Sequence, residues 1–89
     1  MNAQNIDFDP MVYDALRELC TRISGRYVAW EYAAKSKAEE EHWEQERFRL
    51  NAEVRAVDPN SFEQIQAKRL ELRERYAALL ATAPELAFL

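Results

Sequence analysis

The chain has 89 residues, 48% of them hydrophobic and 31% charged, with one Gly, one Cys and a formal net charge of −4. That length allows one domain with a modest core, and the composition is that of a folded chain rather than a disordered one. A single Gly leaves little room for hairpin turns or a phosphate-cradling loop. The acidic balance disfavours a general nucleic-acid binder, and the lone Cys20 closes no internal disulfide and reads as a small buried hydrophobe in a reducing compartment.

The opening MNAQNIDFDP has neither a basic stretch nor an apolar core, so it does not read as a signal peptide. No apolar run approaches a membrane span, and a cytoplasmic protein is expected. Residues 1–8 are polar and aperiodic and read as a flexible arm. Asp9-Pro10 is a helix start: the carboxylate can accept from free backbone N–H groups, and Pro tolerates the first turn. Val12, Leu16, Leu19, Ile23, Tyr27, Trp30 and Ala34 then recur in steps of three and four, which makes one helix face. Ser24-Gly25 falls inside this run without disturbing its phase.

Residues 35–42, KSKAEEEH, carry no large apolar side chain. The stripe resumes at Trp43, Leu50, Val54 and Val57, with Phe48 on its flank, but out of phase with the first. Helix-favouring Ala, Glu and Lys argue against a true loop there. The expectation is a long helix over about 10–57, bent, with a break near 24–26 or 35–38 as the alternative. Asp58-Pro59-Asn60-Ser61 ends it, since Pro lacks a donor and restricts the residue before it. Ser61 with Gln64 fits a capping box. A second long helix follows over about 61–82, with Phe62, Ile65, Leu72, Tyr76 and Leu79 on its face, Arg69 at one stripe position, and Leu70, Ala77 and Leu80 widening it. Residues 83–89 form a short apolar tail that folds back on the bundle. The predicted class is all-α: one domain over 1–89, built as a helical hairpin or three-helix bundle with one long helix, bent or broken.

Little here suggests chemistry. Glu39-x-x-His42 has a spacing that can ligate metal on one helix turn, but it lies in a wholly polar stretch and reads as a solvated acidic face. His42 is the only histidine, and no arrangement pairs it with Cys20, Ser24, Ser36 or Ser61 as a nucleophile. No catalytic residue, metal or cofactor is expected. Lys68, Arg69, Arg73 and Arg75, with Arg47, Arg49 and Arg55, make a basic stripe, but Glu63, Glu71 and Glu74 interleave with it as on a solvated face. The ten aromatics exceed what one small core hides, and spare aromatics suit an interface.

The segments FDPMVYDALRELC and RAVDPNSFEQIQAKRLELRERY resemble small, acidic, three-helix antitoxins paired with kinase-like or nucleotidyl-transferring toxins, the zeta-type pairs in particular. The resemblance lies in size, layout and texture over most of the chain. The Ser/Thr-x-x-x-Glu-Gly/Asn signature of antitoxins that restrain AMP-transferring toxins is absent: Ser36 is followed by Glu40 and then by Glu41. The resemblance implies a non-catalytic inhibitor that occludes the nucleotide or substrate cleft of a toxin-like enzyme. The expected partner-binding residues are Tyr13, Arg17, Tyr32, Glu39, Glu40, Glu41 and Trp43, within an acidic run that also holds Glu44 and Glu46. Two other readings stay open. One is a structural or self-assembling helical adaptor, such as a coiled-coil or phage assembly protein, which would form homo-oligomers. The other is a nucleic-acid-associated regulator using the last helix.

Overall fold

A computed structural model describes residues 10–79 and 81–86. It is 77% helical, and no strand occurs among the described residues. The expected arm over residues 1–8, the Asp9 cap, Leu80 as part of the last helix's face, and the end of the tail (87–89) lie outside them.

Helix α1 spans Pro10–Tyr32. Leu16, Cys20, Ile23, Tyr27 and Trp30 recur every three or four residues and are all buried, so one stripe of α1 supplies almost half of the core. Gly25 lies within the helix, exposed, with ordinary backbone angles and open space where a Cβ would stand. Neither a break nor a kink is needed there.

The single helix over 10–57 does not form. The chain takes the other option and turns between Tyr32 and Lys37. Ala33 N–H still donates to Ala29, whereas Ala34 N–H donates to Glu31, a tightened last turn. Ser36 is extended, at φ −150° and ψ 162°, and caps helix α2, Lys37–Arg55. Its hydroxyl accepts from Glu39 N–H at 3.1 Å, and the Glu39 carboxylate accepts from Lys35 N–H at 3.0 Å. This is a reciprocal cap. The polar stretch from Lys37 is thus the start of α2, and the phase slip in the apolar pattern arises because α2 runs back antiparallel to α1.

The return brings Trp43 onto α1. Its ring lies 4.7 Å from Trp30 edge-on and 6.0 Å from Tyr27 in a stacked arrangement. Neither indole N–H has an acceptor among the described residues, and edge-on and stacked ring packing holds this cluster. Further along the same interface, the Cys20 thiol lies 3.5 Å from Asn51 Oδ1 as a weak donor, and Arg47 grips Glu31 through two hydrogen bonds of 2.7 and 3.1 Å.

The second turn follows the expectation. Asp58 Oδ1 accepts from Asn60 N–H at 2.9 Å, Ser61 N–H donates to Asp58 carbonyl at 3.0 Å, and Ser61 Oγ accepts from Gln64 N–H at 3.1 Å. Helix α3 spans Phe62–Ala78, stopping short of residue 82. Leu79 swings to an extended ψ of 135° and its N–H donates to Tyr76, which ends the helix before Pro84 is reached. Ala83 and Leu86 of the tail pack against the core.

The face of α3 is narrower than the apolar pattern suggests. Only Ile65 and Leu72 are buried, with Tyr76 and Leu79 packed at the edge. Phe62, Leu70 and Ala77 are exposed, because the covering neighbour is one helix rather than two. Helix α1 packs closely on both α2 and α3, whereas the backbones of α2 and α3 scarcely approach each other. Between them runs an open groove of about 500 Å³ floored by Ala56, Val57 and Ala67.

Candidate functional site

The seven residues singled out from sequence fall into three kinds of position. Tyr13 and Arg17 sit near the start of α1; Tyr13 is half-buried against the core edge and Arg17 is exposed. Tyr32, Glu39, Glu40 and Glu41 gather around the α1–α2 turn, at the opposite end of α1. About 28 Å of helix axis separates Tyr13 from Tyr32, from the ~1.5 Å rise per residue. Trp43 stands apart: at 5% exposure it is a core residue, and its expected place on a surface is corrected. The out-of-phase spacing that made it look spare is what the turn restores to register with Trp30.

At the turn, Tyr32 is 88% exposed. Its ring borders a depression of about 320 Å³ lined also by Glu31, Ala34, Lys35, Lys37 and Glu40. Glu39 is committed to the cap, and Glu40 meets Lys37 at a loose 3.4 Å. Glu41 is exposed. Helical spacing carries the surface on from there: Glu41, Gln45, Phe48 and Ala52 follow in steps of three and four, and all four are exposed. Phe48, 52% exposed, lies under the Arg47 guanidinium at 4.9 Å. The outward face of α2 thus presents an aromatic ring beyond a row of acids. Sequence reasoning placed Phe48 only on a flank; its offset from Trp43 and Leu50 by more than a quarter-turn was the available signal.

The groups weighed for chemistry are dispersed or already engaged. Cys20 lies level with Asn51, about 13 Å along α2 from His42, and burial pushes its thiol up, away from the reactive thiolate. Ser36 and Ser61 spend their hydroxyls on helix caps. The His42 ring meets Trp43 edge-on at 4.5 Å. Among the described residues no group of three or more His, Cys, Asp or Glu could hold a metal ion, and no helix is long and apolar enough to cross a membrane. The basic side chains of α3 are largely occupied. Lys68 and Arg75 reach Glu53 at 3.2 and 3.0 Å, and Glu71 at 2.7 and 3.1 Å.

Compared with known proteins, the chain matches no family model, no curated protein and no solved structure.

Proposed function

We propose that this chain is a non-catalytic, cytoplasmic binding protein of the antitoxin kind, which covers the cleft of a basic, nucleotide-using partner enzyme with its α1–α2 corner and the outward face of α2. The observation that carries this reading is Tyr32, a large aromatic almost wholly exposed beside Glu40 and Glu41. Aromatic anchors ringed by charge are the usual makings of an interface hot spot. A row of acids is steered to a basic cleft. The engagement of Lys68 and Arg75 with Glu53 and Glu71 weighs against the nucleic-acid reading.

The test is direct inhibition of a kinase-like or nucleotidyl-transferring toxin by the purified protein. A stoichiometric complex with lost toxin activity is expected. Tyr32→Ala and Glu41→Lys should each weaken it about tenfold or more without lowering the melting temperature. Undiminished toxin activity would overturn the proposal. The self-assembling reading is kept because Met11, Phe48 and Leu70 are exposed as well. It predicts a stable homo-oligomer whose size falls on Phe48→Glu.

A further inference from the structure

We infer that α3 is a detachable element, held on the α1–α2 hairpin by an ionic latch centred on Glu53 and released as a unit when that latch is weakened. The two halves of the fold are joined very differently. Helices α1 and α2 carry eight buried residues between them and are tied directly by the Tyr27–Trp30–Trp43 cluster and the two-pronged Arg47–Glu31 pair. Helix α3 adds only Ile65 and Leu72 to the buried core, and its α2 side opens onto the groove over Ala56, Val57 and Ala67.

What spans that open side is charge. Glu53 of α2 receives Lys68 and Arg75 of α3, and Glu71 braces both cations from within α3. Lys68, Arg75 and Glu53 are each between a fifth and a third exposed, so solvent ions reach the cluster and screen it. Glu53 also acts on Cys20 and Tyr27 of α1; Arg17 and Arg55 act on the same Cys20, and Glu46, Arg49 and Arg75 on the same Tyr27. Burial alone would push the Glu53 carboxyl up, but the hydrogen bonds from Arg75 and Lys68 outweigh it and hold the group below its ordinary value. Glu71 is held low chiefly by the hydrogen bond from Lys68. Both shifts have the same sign. The latch is at full strength above the ordinary carboxylate range and is lost as pH falls from that range down through the lowered values of Glu53 and Glu71. Elements with few buried contacts and exposed polar ties open below the global unfolding threshold.

Hydrogen exchange of the full chain, read helix by helix at neutral pH, tests this. In low salt, amides of residues 65–76 should exchange at least about tenfold faster than those of residues 16–30 and 43–54. Near 1 M salt, where the screening length is about 3 Å, the α3 rate should rise several-fold while the α1–α2 rates hold. Glu53→Gln should raise the α3 rate to a similar degree and remove its salt response. Equal protection of all three helices with a common salt response would overturn the latch, as would an α3 rate unchanged in Glu53→Gln. Should that variant fail to fold, the salt response of the unaltered chain decides alone.

Discussion

The two turns of this protein are built on the same plan, although only one of them carries a residue that breaks a helix. Each begins its next helix with an extended Ser whose hydroxyl accepts from the N–H three residues on: Ser36 with Glu39, Ser61 with Gln64. In each, that third residue reaches back to a backbone N–H before the cap, Lys35 in one case and Asp58 in the other, at 3.0 Å. The second turn adds Asp58-Pro59-Asn60; the first has neither Pro nor Gly and is made of residues that favour helix. A helix can therefore be ended by the cap of its successor and by packing, with no breaker present. Gly25 completes the lesson from the other side, since the chain's one glycine sits in unbroken helix.

What each turn is anchored to also differs, and substitutions can probe that difference. The first turn leads into Trp43, locked between Tyr27 and Trp30; the second carries Val57 at its start, buried but small. Trp43→Ala should cost about 3–5 kcal/mol and Val57→Ala about 2 kcal/mol, measured by urea unfolding. Equal losses would mean that the two turns are anchored alike.

Removing either cap hydroxyl should have a smaller effect. Ser36→Ala and Ser61→Ala should each cost about 1 kcal/mol. If Pro59 were what starts α3, Ser61→Ala would be silent while Ser36→Ala was not, and the shared plan would fail. The mildest change has the opposite sign. Gly25→Ala meets no neighbour within 4 Å and should stabilise the chain by roughly 0.5–1 kcal/mol. A loss on thermal melting would show that α1 bends there after all.

These contrasts explain what could be read from residues alone. The stripe from Leu16 to Trp30 was legible because a helix with one buried side repeats its apolar residues in threes and fours. The Asp58–Ser61 turn was legible because Pro restricts its own backbone. The first turn was visible only as a phase slip between Trp30 and Trp43. Ser36-x-x-Glu39 has the same form as Ser61-x-x-Gln64, but lies among four further charged residues from Lys35 to Glu41 that mask it. The exposure of Phe62 and Leu70 was not legible, because it depends on how many neighbours cover α3, and that is set by the path of α1. Of the surface candidates, Tyr32, off the first stripe by helical spacing, proved exposed. Trp43, judged by the same spacing across an unseen turn, proved buried.

The aromatic cluster has a spectroscopic consequence. The chain has two tryptophans, and both lie at the α1–α2 end with their rings 4.7 Å apart and their indole N–H groups shielded and unpartnered. Intrinsic emission should be shifted to the blue, and two chromophores at that distance should couple in circular dichroism. Every photon collected above the tyrosine band reports on one interface only. A fluorescence melt therefore follows the separation of α1 from α2 and is blind to α3 leaving first, whereas far-ultraviolet dichroism, which counts all three helices, would see both events.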